Sequence, residues 1–242
     1  MAGHNKWSKV KHIKGALDAK RGKIFSKLSR ELTVAAKEGG GEVDLNARLR
    51  MVILKAKQAN MPADTIDRAI KKGVGGGQGT EFEDLVYEIY GPAGIAILVE
   101  ISTDNKNRTA AEIRHILTKN GGSIATSGAV TRLFHRKGQM IISREKADED
   151  KIMEVALEAG AEDFRSEPEG YEIITDPSEF ETVHQAVEAA GIECDSAGVT
   201  CLPDALVPLS PADGPTLAKI IELIDEHDDV KEVYSNADFP SE

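Results

Sequence analysis

The sequence predicts an α+β multidomain protein: an N-terminal three-helix domain followed by two ferredoxin-like α/β domains, the second inserted into the first. Three observations lead there. Residues 1–72 show helical periodicity alone and run into GVGGGQGT at 73–80, a linker by composition. Strand and helix patterns then alternate to the end of the chain. Within that alternation the order β-α-β-β-α-β appears across 136–201, and again when 94–135 is joined to 204–235. The implied divisions are a basic helical domain at 1–72, the linker at 73–80, a split α/β domain of 81–135 plus 204–242, and an inserted α/β domain at 136–203.

Taken in order, HNKWSKVKHIK at 4–14 has no clean period and four lysines, and reads as an arm. A helix from about 16 to 38 carries the apolar stripe Ile24, Leu28, Leu32 and Ala35 with Phe25 beside it, and Gly39-Gly40-Gly41 stops it. A second helix spans 46–60 and is broken at Met61-Pro62. Pro62 is placed to open a third helix through Lys72, because its fixed φ suits a first helical turn. Residues 84–90 and 94–102 read as strands, the second (GIAILVEIS) apolar enough to be buried. Asp104-Asn105 starts a helix to Lys119, Gly121-Gly122 ends it, and a strand follows near 129–135. The inserted domain reads as strand 138–143, helix 148–159, strands 161–166 and 170–175, helix 178–190 and strand 192–201. Strand 204–209, helix 213–227 and strand 230–235 close the chain.

The formal net charge of −11 hides a division. Residues 1–80 hold 17 Lys/Arg against 7 Asp/Glu, whereas residues 81–242 hold 13 against 34. An acidic total argues against nucleic-acid binding, but here a cationic N-terminal third precedes an acidic body. No stretch approaches the roughly 18 consecutive apolar residues of a membrane helix. Met1–Trp7 lacks the apolar core of a secretory signal, so a cytoplasmic location is expected. Cys194 and Cys201, seven residues apart, would lie about 23 Å from each other along one extended strand, too far to bridge or share a metal unless the chain folds back between them, and are expected as reduced thiols.

On a helical wheel centred on Leu28, the stripe residues fall within roughly 40° of the centre, and Lys20, Lys23, Lys27, Arg30 and Lys37 occupy one flank and the back. Residues 1–30 hold nine Lys/Arg against the single Asp18. Cations so clustered relieve their mutual repulsion by meeting a polyanion and releasing its counterions. The candidate nucleic-acid-binding residues are therefore Lys6, Lys9, Lys11, His12 and Lys14 of the arm, with Lys20, Arg21, Lys23, Lys27 and Arg30 of the first helix. Arg21 falls in the apolar stripe, so either the regular helix starts after Gly22 or Arg21 reaches out along its stem. Trp7 is expected to anchor the arm onto the helices rather than to stack on bases. Arg68, Lys71 and Lys72, at the far end of the third helix, are secondary backbone contacts.

Other chemistries fit poorly. A helix-turn-helix across Asn60-Met61-Pro62 would put Asp64 and Asp67 at the reading end of its recognition helix. The glycine run follows a helix and lacks Gly-Lys-Ser/Thr, so it is no phosphate loop. IAILVEIS carries none of the aromatics of an RNA-recognition sheet. Glu112 and His115 have no second such pair to complete a metal site, and Glu226-His227-Asp228-Asp229 reads as a solvated helix end. No catalytic constellation, metal or other cofactor is expected.

GHNKW (3–7), DAKRGKIFSKLSREL (18–32), NMPADTIDRAIKKG (60–73), YGPAGIAILVE (90–100) and TDNKNRTAAEIRHILTKNGG (103–122) resemble the YebC family, whose mitochondrial member is the translational activator of cytochrome c oxidase subunit I. The resemblance spans essentially the whole chain. Asn5 stands where the family usually has Ser, and GAVTRLF (128–134) lacks the Trp that often follows its glycine. The resemblance implies one helical and two α/β domains. It also implies a cytoplasmic DNA-binding transcriptional regulator or, as other members are described, a ribosome-associated translation factor that binds rRNA or tRNA and helps through proline-rich stretches. The expectation is a non-enzymatic regulator of gene expression that grips phosphate backbone, DNA or ribosomal RNA. Its acidic body would meet a protein partner, with no membrane and no small-molecule substrate involved. A ligand-sensing module remains an alternative on fold analogy alone.

Overall fold

The computed structural model describes residues 17–75 and 82–239, with side chains from Arg21 onward. Three helices come first: α1 (Leu17–Gly39), α2 (Ala47–Gln58) and α3 (Ala63–Val74). The predicted stripe is their common core, with Leu28, Leu32 and Ala35 packed against Leu49, Val52 and Ala56 of α2 and Ile66 and Ala69 of α3. Buried Asn46 holds two helix ends together. Its Oδ1 accepts from Leu49 N–H at 3.0 Å, capping α2, while its Nδ2 donates to the carbonyls of Ala35 (2.9 Å) and Gly40 (2.8 Å). Asn60, at φ 56°, makes the left-handed exit from α2 that asparagine tolerates.

The α/β elements are β1 (Glu83–Tyr90), β2 (Ala96–Thr103), α4 (Lys106–Asn120) and β3 (Ser123–Ile124). Next come β4 (Phe134–Ser143), α5 (Glu149–Glu158), β5 (Asp163–Glu167), β6 (Gly170–Thr175), α6 (Phe180–Ala189) and β7 (Ser196–Pro203). Last are β8 (Val207–Pro208), α7 (Gly214–Asp225), β9 (Val230–Ser235) and β10 (Ala237–Asp238). His135–Leu202 form one compact unit, and the helices with the remaining α/β elements form the other.

In the inserted unit the strand order is β5-β6-β4-β7, which is ferredoxin-like for a β-α-β-β-α-β chain. The other sheet has the order β3-β1-β2-β9, antiparallel throughout. This is the same arrangement with one substitution. With β2, β3 and β9 as strands one, two and four, the slot of strand three is filled by β1, from earlier in the chain. The expected strand at 129–135 is instead an irregular segment with a 3-10 turn at Thr131–Leu133 that leads into β4. The expected strand at 204–209 contributes only β8, which pairs in parallel with β10. Alternation of side chains marks a strand but not its neighbour. β1 and β2 are joined by a five-residue turn and pair along all eight residues, so the local hairpin takes the slot. Ile97, Val99 and Ile101 of β2 then pack beneath Ile113 and Leu117 of α4 and Leu217, Ile220 and Ile224 of α7.

α3 runs past Lys72, and Gly73 is not a linker residue. It is buried where α3 crosses α1, and a Cβ there would stand 2.4 Å from the Thr33 carbonyl oxygen and 2.8 Å from Ala36 Cβ. The missing side chain is what lets the two backbones approach. Gly73→Ala is therefore expected to cost on the order of 1–3 kcal/mol by overpacking. Urea unfolding checks this, and a midpoint equal to wild type would show that the helices separate freely at this point.

Candidate nucleic-acid interface

α1 continues unbroken through Gly22, so the helix does not start late. Exposed Arg21 instead reaches out of the stripe with its guanidinium 5.6 Å from the Phe25 ring centroid. The next three cations meet the turn between α7 and β9. Lys23 Nζ lies 3.7 Å from Asp228 Oδ1. Lys27 donates to the Asp225 carbonyl. Arg30 Nη1 donates to Asp229 Oδ1 at 3.0 Å and to the Asp228 carbonyl at 3.1 Å, and its guanidinium sits 5.0 Å from the Phe82 ring centroid. Burial pulls the Lys27 pKa down, although Asp225 opposes it. Lys71 and Lys72 are exposed on α3, while Arg68 folds back on the Asp64 carbonyl (3.0 Å) and Thr65 Oγ1 (3.2 Å). Lys6, Lys9, Lys11, His12 and Lys14, and the side chain of Lys20, lie outside the described residues, as does Trp7.

The acid that Arg30 meets is no solvated helix end. Asp229 is 4% exposed. Its Oδ2 accepts from Thr109 Oγ1 at 2.7 Å, Arg108 Nη2 at 2.9 Å and Thr103 Oγ1 at 3.0 Å, while its carbonyl accepts from Ser102 N–H at 2.8 Å. Burial alone would raise its pKa, but the bonds from Arg108, Thr109, Thr103 and Arg30 outweigh it and bring the carboxyl to about 2. Next to it, His227 Nδ1 accepts from Asp229 N–H at 3.1 Å, which leaves Nε2–H to donate to Glu112 at 2.7 Å. Glu112 thus pairs across to this turn rather than with His115.

Other charges tie the helices to the sheet. Lys55 Nζ lies 2.9 Å from Glu232, and Arg48 pairs with both Glu38 and Asp84, the latter at 2.7 Å. A second buried carboxylate, Glu88 on β1, accepts from the backbone N–H groups of Gly128 (2.6 Å), Val130 (2.6 Å) and Thr131 (2.8 Å) and so fixes the segment that precedes β4. Burial opposes its ionisation, yet these donors hold its pKa below the ordinary glutamate value. Among the described residues no group of three or more His, Cys, Asp or Glu is placed to hold a metal ion, and no helix is long and apolar enough to cross a membrane.

Residues 5–76 match the family model described as TACO1/YebC protein N-terminal domain, and residues 82–237 match that described as TACO1/YebC second and third domain. The chain belongs to the TACO1/YebC family. It is 52% identical over 242 residues to a "probable transcriptional regulatory protein" of Desulforapulum autotrophicum, covering 100% of this chain and 98% of the relative. A like-named protein of Clostridium beijerinckii is 50% identical over 240 residues, covering 99% and 98%. The crystal structure of a conserved hypothetical protein from Aquifex aeolicus superposes with a TM-score of 0.82 at 41% identity, covering 93% of each chain.

In this family member Arg30 joins the basic flank to the α/β body through Asp229, which makes that carboxylate open to direct test. Its pKa lies below the unfolded value, so its contribution is complete above about pH 4 and is lost as the pH falls toward 2. The shift corresponds to about 2 kcal/mol at neutral pH. Asp229→Asn should lower the urea stability by about that much at pH 7, with the gap to wild type closing as the buffer is taken below pH 4. Equal midpoints at pH 7 would show that Asp229 does not hold the turn.

Proposed function

We propose that this chain is a non-enzymatic regulator of gene expression that grips the phosphate backbone of a nucleic acid through its cationic helical domain. The observation that carries the reading is the segregation of charge: 17 Lys/Arg against 7 acids in residues 1–80, ahead of a body with 34 acids against 13 Lys/Arg. That segregation lets one end attract a polyanion while the other keeps off it. The names of the relatives, probable transcriptional regulatory proteins, support a role in gene expression. The grip we assign comprises Lys6, Lys9, Lys11, His12 and Lys14 of the arm and Lys20, Arg21, Lys23, Lys27 and Arg30 of α1. Arg68, Lys71 and Lys72 of α3 add backbone contacts. Backbone contacts position a protein without specifying sequence, which favours structured RNA or nonspecific duplex over a sharply read operator.

Titration of a fluorescein-labelled mixed-sequence DNA duplex and an RNA hairpin at several salt concentrations tests the grip. If about six phosphates are neutralised, log K against log salt should slope near −5 on duplex DNA. Replacing Lys6, Lys9, Lys11 and Lys14 by Gln should flatten it, and slopes unchanged by that replacement would overturn the assignment of the arm. Sedimentation of the protein with ribosomal particles, lost in the same variant, would make RNA the target. Preference for a promoter over random duplex by about 10³ would make it DNA.

A further inference from the structure

We propose that the acidic turn between α7 and β9 masks the basic flank of α1, so that nucleic-acid phosphates and this turn compete for Lys23, Lys27 and Arg30. The inference rests on the reading of α1 as part of the grip, and adds how that grip is regulated. All three cations, assigned to phosphate by the sequence pattern, are occupied by one five-residue stretch, Asp225 to Asp229. The occupation is of a releasable kind. Lys23 and Asp228 pair at 3.7 Å with side chains 42% and 78% exposed, a geometry that water and salt screen. The hydrogen-bond partner of Lys27 is a neutral main-chain carbonyl, which a phosphate oxygen would replace with a charge-assisted bond.

The fold is also built to survive the exchange. When Arg30 leaves, Asp229 keeps Arg108, Thr109 and Thr103, all within its own domain. The apolar core of the helices and that of the split sheet are separate clusters, so parting this contact opens neither. An open groove of about 500 Å³ beside this contact is lined by Lys23, Arg30 and Arg108 together with Glu226 and Asp228, so the pairing can be reached from solvent. Both partners belong to one chain, and the turn therefore faces the flank at high effective concentration. A nucleic acid must displace it, and the apparent affinity falls by the fraction of molecules in which the flank is free.

The test uses the full chain and the same labelled RNA hairpin and duplex. Asp225→Asn with Asp228→Asn should tighten binding by about threefold, as the masked fraction falls. A control with the same change of charge on exposed α5 positions, Asp150→Asn with Glu154→Gln, should have little effect. Hydrogen exchange at the amides of 226–230 should quicken when the wild type binds the hairpin. Thermal melts identify any variant that fails to fold. Turn and control variants of equal affinity, with weakened binding in Lys23→Gln/Lys27→Gln, would overturn the mask and leave the grip standing. No loss in Lys23→Gln/Lys27→Gln would overturn both.

Discussion

A buried carboxylate organises this molecule. Asp229 cannot be left ionised without donors, because desolvating a charge costs far more than any one hydrogen bond returns. Its donors come from the end of β2 (Thr103), the first turn of α4 (Arg108, Thr109) and the middle of α1 (Arg30), so the helical domain and the sheet domain meet at one acid. Threonine hydroxyls and guanidinium groups suit that position: they satisfy the lone pairs while two positive charges offset the burial. With Arg48–Asp84 and Lys55–Glu232, the Arg30 bond helps set where α1 lies on the body, and with it the orientation of the basic flank.

Much of the architecture is legible in the sequence because it is local. The stripe Ile24, Leu28, Leu32 and Ala35 buries as its spacing demands, the Met61-Pro62 break separates two helices, and Asn105 caps α4 through its bond from Arg108 N–H. What the sequence conceals is partnership over distance. Asp229 and Arg30 are 199 residues apart, and nothing in Glu226-His227-Asp228-Asp229 distinguishes a solvated helix end from a buried hub. The same limit hides the pairing of β1 with β2 as members of the split sheet, since alternation is the same whichever strand lies alongside. Gly73 shows a third limit: a residue without a side chain serves flexible linkers and tight helix crossings equally, and composition cannot separate the two.

The two sheets reach one strand order by different routes. In the inserted unit each strand follows its predecessor through a helix or hairpin, and the order can be read along the chain. In the split sheet β1 supplies the third position, which frees residues 204–213 from sheet duty and lets them carry only β8 before α7 begins. β9 then enters at the open edge beside β2, and the turn that precedes it carries Asp225, Asp228 and Asp229 to α1.

The electrostatic division of the chain suggests a division of labour, with the basic part binding and the acidic part repelling. The contacts show a closer relation. Lys23, Lys27, Arg30, Arg48 and Lys55 all face carboxylates or carbonyls of the α/β body or its adjoining strands. The surplus of cations in the helical domain is therefore partly answered within the molecule, and the acidic surplus of the body is in part the counterpart of that domain. Attraction between oppositely charged domains weakens with salt, as does attraction of the same cations to phosphate. Under the proposed mask, a polyanion and the body draw on one set of charges but not with the same dependence on salt. A nucleic acid also gives up condensed counterions, so its hold falls more steeply with ionic strength than the pairing with the turn, and raising the salt favours the masked state.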